Sequence, residues 1–123
     1  MSYFKLPDQK TVYFDVDDTL VLWEMPITAA NEHEFVKFDF PDENYSVMLK
    51  PHQKHIQDLK ACYNSNYNVV VWSQGGSDWA AMVVKKLGLS EYVDIIVNKP
   101  DFWYDDLTND YVLEETFRRW KQP

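Results

Sequence analysis

Three carboxylates fall within four positions, at Asp15, Asp17 and Asp18, directly after the apolar run Val12-Tyr13-Phe14 and directly before Thr19. Like charges so close together at the end of a buried strand repel one another and lose part of their hydration. A fold tolerates that arrangement most easily when a cation or a reaction uses it. Further along, Ser73 ends the apolar run Val69-Val70-Val71-Trp72, Lys99 follows Val93-Asp94-Ile95-Ile96-Val97, and Asp105-Asp106 follow Phe102-Trp103-Tyr104. Gathered on one rim, these acids, the hydroxyl and the lysine form a set suited to phosphoryl transfer. Hard oxygen ligands suit Mg2+, which takes one or two carboxylates together with substrate phosphate. A carboxylate can attack phosphorus to give an acyl phosphate. A lysine and a hydroxyl can stabilise the oxygens of the transferring group. A second carboxylate can protonate the leaving group and later activate water.

Bringing these residues together requires a particular order of elements. Val12 to Phe14 reads as a buried strand. Leu22 to Glu34, which contains Pro26, reads as a loop with one helical turn. Phe35 to Phe40 and Tyr45 to Leu49 alternate in part around the turn chemistry of Pro41-Asp42-Glu43-Asn44, and predict a β-hairpin over about 35–49. Pro51 is expected to open a helix running to about Asn64, with Ile56, Leu59 and Tyr63 on one face. Residues 69–72 form the second expected strand. Ser77 is placed to cap a helix from Asp78 to Leu87, with Ala80, Val83, Val84 and Leu87 inward and Gly88 as its stop. Residues 93–97 predict a third strand and 102–104 a short fourth. A final helix is expected from about Asp110 to Trp120, with Leu113, Phe117 and Trp120 on one stripe.

Continuous apolar strands alternating with amphipathic helices predict an α/β fold: a three-layer, Rossmann-like parallel sheet with helices on both faces and a small hairpin insert. A single domain over 1–123 accounts for the length. Ligands of such sheets bind at the carboxyl ends of the strands. Asp15, Asp17, Ser73, Lys99, Asp105 and Asp106 all fall there.

A net charge of −8 argues against a general duplex-DNA binder and means that an anionic substrate needs local positive charge, from a metal or a lysine. Aromatic residues make up 16 %, so the core or a binding face is expected to be ring-rich. The single cysteine, Cys62, permits no intrachain disulfide and points to a reducing compartment. The first residues lack the pattern of a signal peptide, and no apolar stretch is long enough to cross a bilayer. A soluble, cytoplasmic protein is the expectation.

Asp15-Val16-Asp17-Asp18-Thr19 resembles the DxDxT signature of the haloacid dehalogenase (HAD) superfamily in its phosphatase branch. The valine triplet with Trp72 and Ser73 resembles that family's second motif, Lys99 before Pro100 the third, and Asp105-Asp106 with Asp110 the acidic fourth. The four motifs come in the family's order and span most of the chain. The resemblance implies a Mg2+-dependent phosphatase with Asp15 as nucleophile and metal ligand. Asp17 becomes the general acid/base, its backbone carbonyl a second ligand. It gives Ser73 the phosphate, Lys99 the orientation of the nucleophile and charge neutralisation, and Asp106 the metal, with Asp105 a supporting residue or alternate ligand. Asp110 fits the same motif but equally caps the final helix, and Thr19 supports the loop. An acid at Asp17 sets the sequence with the phosphatases and apart from the carbon–halogen hydrolases. The chain is short for the family, and between the first two motifs there is room for a hairpin but not for a cap domain. By analogy an open site favours a bulky or macromolecular substrate. A nucleotide or nucleic-acid end, a phosphoprotein and a phosphorylated metabolite all stay open, as do phosphotransfer to an acceptor other than water and an idle binding module.

Other features have plainer readings. An EF-hand fails because Leu20 stands where a glycine is required. His52 and His55 are three apart on an expected helix, without further soft ligands, and read as surface or packing residues. Cys62 reads as a small buried hydrophobe, and Trp72, Trp103 and Trp120 as core. Trp23 has two readings: stacking on a nucleobase or aromatic leaving group, and, the stronger, packing against the hairpin. The hairpin itself is either a substrate-facing flap or edge cover for the sheet.

Overall fold

A computed structural model describes residues 8–104. The expected final helix over 110–120, together with Asp105, Asp106, Asp110 and Trp120, lies outside the described residues. The chain runs β1 (Thr11–Asp15), β2 (Val21–Leu22), β3 (Val36–Phe40), β4 (Tyr45–Pro51), α1 (Gln53–Asn64), β5 (Asn68–Ser73), α2 (Ser77–Lys86) and β6 (Ile95–Asn98). Strands β1, β5 and β6 form a parallel sheet in that order, and β2, β4 and β3 form a small antiparallel one. This is the α/β, Rossmann-like architecture the sequence predicts, with the hairpin β3–β4 inserted where expected.

Alternation decides which face of the parallel sheet is buried. Val12, Phe14, Val69, Val71 and Ile96 pack with Ile56 and Leu59 of α1 and Ala80, Val83 and Val84 of α2 in one apolar cluster. Both helices therefore cover the same face, as two right-handed crossovers stepping in one direction require; of the helices expected on both faces, the described residues hold those of one face only. Tyr63, expected on the buried stripe of α1, is instead partly exposed and meets Tyr92 edge-on at 5.7 Å. Cys62 is partly buried against the core, and burial pushes its thiol pKa up.

Four local expectations are corrected. Pro51 does not open α1; it ends β4, opposite Val21. A strand end is a position where a missing N–H is tolerated. The helix starts two residues later, at Gln53, with His52 as its cap: the His55 backbone N–H donates to His52 Nδ1 at 3.2 Å. Burial, and then the neighbouring His55, hold the His52 pKa below its ordinary value, which keeps that nitrogen available as an acceptor. Ser77 does not cap α2 but is its first residue, because Gly76 at φ +106° occupies the turn before it. The third strand begins at Ile95: Asp94 donates its backbone N–H to the Val69 carbonyl at 2.9 Å, but the Val69 N–H goes to the Asp94 side chain at 2.8 Å and not to a backbone carbonyl. Phe102, Trp103 and Tyr104 do not form a strand; all three are exposed, Trp103 by 50 %, and Trp103 is not core. An apolar run without a partner strand or an amphipathic period carries no sheet.

Candidate functional site

The parallel register delivers the expected residues to one edge. Asp15 ends β1 opposite Trp72, and Ser73 ends β5 opposite Asn98. The Lys99 backbone N–H then donates to the Ser73 carbonyl at 2.9 Å, which fixes the start of the lysine beside the end of β5. Asn98 clamps the same corner: its Oδ1 accepts the Ser77 N–H at 2.6 Å and so holds the start of α2 against β6. Its place directly before the lysine is visible in the sequence, but nothing there marks it as a helix-holding residue.

Beyond Asp15 the chain closes a tight loop. The backbone N–H groups of Thr19, Leu20 and Val21 all point to the Val16 carbonyl, at 3.2, 2.9 and 3.2 Å, and Asp18 N–H donates to the Val21 carbonyl at 2.7 Å. Asp18 sits at φ +58°, a left-handed conformation that aspartate adopts more readily than most residues. Its Oδ1 accepts the Trp23 backbone N–H at 3.0 Å. The acid to which the sequence assigns no role is thus a loop-closing residue. Helix α1 grips the loop from the other side: His52 N–H donates to the Leu20 carbonyl at 2.9 Å and His55 Nδ1–H to the Thr19 carbonyl at 2.8 Å. The two imidazoles lie parallel with ring centroids 3.7 Å apart. They are packing and loop-holding residues.

Electrostatics at the rim centre on Asp15. Burial pushes its carboxyl pKa above the ordinary range; the Lys99 ammonium and the Val16 backbone hydrogen bond pull it back, and Asp17 and Asp18 push it up again. The Lys99 ammonium also lies 5.9 Å from the centroid of the Trp72 ring, which is half-buried against Tyr13.

Asp17 is held through both carboxylate oxygens. Its Oδ1 accepts two indole N–H groups, from Trp23 at 2.8 Å and from Trp79 at 3.0 Å, and its Oδ2 lies 3.4 Å from the Ser73 hydroxyl. Ser73 is fully buried, and its Oγ accepts the Gly75 N–H at 3.0 Å. Neither indole contact is anticipated by the sequence. Trp79 comes from the first turn of α2 and rests on Phe38 and Phe40 of β3, at centroid distances of 5.4 and 5.2 Å. Trp23 stands 6.3 Å from Trp79. The hairpin is therefore neither a flap alone nor plain edge cover: its apolar face buries a tryptophan that reaches the acids.

The arrangement brings Asp15, Asp17, Ser73 and Lys99 to one edge of the sheet. Among the described residues no group of three or more His, Cys, Asp or Glu could hold a metal ion, and the third acid of the predicted set falls among residues 105–106. No helix among the described residues is long and apolar enough to cross a membrane. In comparisons with known proteins, the family model described as NLI interacting factor-like phosphatase matches residues 10–111. No curated protein and no solved structure gave a significant match.

Proposed function

From the chain's membership of the NLI interacting factor-like phosphatase family, a phosphatase family of the HAD superfamily, we infer that it hydrolyses phosphomonoesters through an aspartyl-phosphate on Asp15. The observation that carries this reading is the meeting of a half-buried Asp15, a lysine that offsets its charge, and a second acid, Asp17, fixed beside the Ser73 hydroxyl. Asp15 attacks phosphorus while the bond from phosphorus to the ester oxygen breaks. That oxygen keeps the electron pair and takes a proton from Asp17. Water then attacks the same phosphorus, the bond to Asp15 breaks with its electrons returning to the carboxylate, and Asp17 recovers a proton from the water. Lys99 and Ser73 face the phosphoryl oxygens and stabilise the charge they carry.

The donor set fits Mg2+. Asp15 and Asp17 offer hard oxygens, and the acids at 105–106 belong to the same chemistry. The Asp15 carboxylate, the Asp17 backbone carbonyl and Asp106, with Asp105 as the alternate, would hold it. Bound there, Mg2+ supplies charge neutralisation between nucleophile and phosphate. The insert between the first two motifs is a hairpin rather than a cap, which favours a phosphate carried on a bulky molecule.

Hydrolysis of an aryl phosphate, measured with Mg2+ and after chelation, tests the reading. Wild type is expected to turn over with metal and to fall by at least about a hundredfold without it; an aspartyl-phosphate should be trapped by hydroxylamine. Equal rates with and without chelator would overturn the metal, and inactivity on a broad panel of phosphates would overturn the proposed mechanism.

Gly75 supplies a second test. A methyl group there would meet Trp79 Cδ1 at 3.1 Å, so the indole must give by a few tenths of an ångström, and would touch Ser73 Oγ at 3.4 Å. Gly75→Ala is expected to lower kcat/KM by about tenfold, since small displacements of positioned groups are costly to rate. Far-UV circular dichroism should stay unchanged. Wild-type kinetics in this variant would mean that the site tolerates movement of Trp79.

A further inference from the structure

A carboxylate oxygen has room for two hydrogen bonds, and an indole N–H can only donate. Asp17 Oδ1 receives two such donors, at 2.8 Å from Trp23 and 3.0 Å from Trp79. A proton on Oδ1 would displace one of them, and turning the carboxylate would strand an indole N–H in an apolar setting. Trp79 can hardly follow such a turn, because it is 9 % exposed and sits against Phe38, Phe40 and Trp23. Oδ2 has different company: the Ser73 hydroxyl at 3.4 Å, a long contact to a group that can rotate toward another acceptor.

We propose that Trp23 and Trp79 are positioning residues that hold the Asp17 carboxylate by one oxygen, so that Oδ2 is the atom that exchanges the proton with the leaving group. The proposal rests on Asp17 acting as the general acid/base. In the first half of the reaction the proton on Oδ2 passes to the ester oxygen as that oxygen leaves phosphorus with the bonding pair. In the second half Oδ2 takes a proton from the attacking water. Oδ1 keeps both indoles throughout. The arrangement also gives the hairpin a part in the chemistry: Phe38 and Phe40 fix the indole of Trp79, and Trp79 fixes the acid.

The test compares two substrates in the presence of Mg2+. 4-Nitrophenyl phosphate has a leaving group that departs unaided, whereas a simple alkyl phosphate needs a proton. Trp23→Phe is expected to lose about tenfold to a hundredfold in kcat/KM, which covers only the steps up to departure of the leaving group, on the alkyl phosphate and less than about threefold on the aryl one, within the range that general acid catalysis contributes. Asp17→Asn should show the same selectivity more strongly. A loss of equal size on both substrates, or none on either, would overturn the proposal, because a packing defect does not distinguish leaving groups. A second measurement is independent of turnover and of the fate of Trp79 variants. In substrate-free protein, Asp17→Ala should move two of the five indole N–H resonances upfield, one of them the signal that Trp23→Phe removes. If those two resonances stay in place, the indoles do not hold Asp17. A wild type inactive on both phosphates with the two resonances still responding would overturn the catalytic reading, and with it the proton assignment to Oδ2.

Discussion

Asp15→Asn is expected to melt a few degrees higher than wild type in metal-free buffer at neutral pH while losing at least about 10⁴-fold in turnover, the scale on which removal of a covalent nucleophile acts. Burial is the leading cause of the raised Asp15 pKa, and Asp17 and Asp18 add to it. A carboxyl raised in the folded state binds its proton more tightly there than in the unfolded chain. Stability then falls as pH rises from the ordinary carboxylate range through the raised folded value, and above that window the full cost of the buried charge is present. Asparagine keeps the shape and carries no charge. Its advantage should therefore be complete at neutral pH and vanish below the ordinary carboxylate range. Thermal melts of both proteins across that interval check this. Equal melting temperatures at neutral pH would mean that Lys99 and the Val16 N–H fully offset the burial of Asp15. A variant with undiminished turnover would remove Asp15 from the role of nucleophile.

Much of this site can be read from one dimension. The parallel strands are written as short unbroken apolar runs, so each end is a sharp mark, and Asp15, Ser73 and Lys99 each stand at such a mark. Strand register then places them together, since Asp15 pairs with Trp72 and Ser73 with Asn98. What cannot be read are contacts made between elements distant in sequence. Trp79 lies 62 positions from Asp17, and in α2 its period marks it as one more apolar side chain. Trp23 stands out for its place after the acidic motif, but the direction of its N–H depends on the turn through Asp18 at φ +58°. Strand β2 has two residues and exists through its pairing with the end of β4, which leaves no local pattern. Phe102 to Tyr104 fail in the opposite sense, because an apolar triplet reads as a strand until a partner is required of it.

These two kinds of residue divide the site. Those that would meet phosphate are local in sequence and legible. Those that hold them still are the tryptophans, Asp18, Gly75, Asn98 and the pair His52 and His55. They come from loops and helix ends, where a sequence shows packing residues or no pattern at all. The loop after β1 is fastened by α1 through Thr19 and Leu20, by its own turn through Asp18, and by the hairpin through Trp79. Three elements inserted or placed after β1 thus converge on one short segment, as a site requires when its acids must keep a fixed separation.

Lys99→Met should be the second most damaging change, with a loss of about a hundredfold to a thousandfold in kcat/KM, the range seen when a positioned charge facing the transition state is removed. The same substitution should act on stability through Asp15. The Lys99 ammonium is the largest influence holding the Asp15 pKa down. Without it only the Val16 backbone hydrogen bond relieves the cost of burying the carboxylate, so Lys99→Met is expected to melt lower than wild type at neutral pH. Most of that loss should disappear in the Asp15→Asn background, where no charge is left to offset. A double-mutant cycle on melting temperature isolates this coupling from the contact between Lys99 and the Trp72 ring, which is lost equally in both backgrounds. A loss of the same size in the wild-type and Asp15→Asn backgrounds would assign the stabilising effect of Lys99 to the ring and not to the carboxylate. The kinetic arm separates the roles further: if Lys99 faces phosphate as proposed, KM should rise along with the fall in kcat, whereas a lysine acting only through Asp15 would change kcat alone.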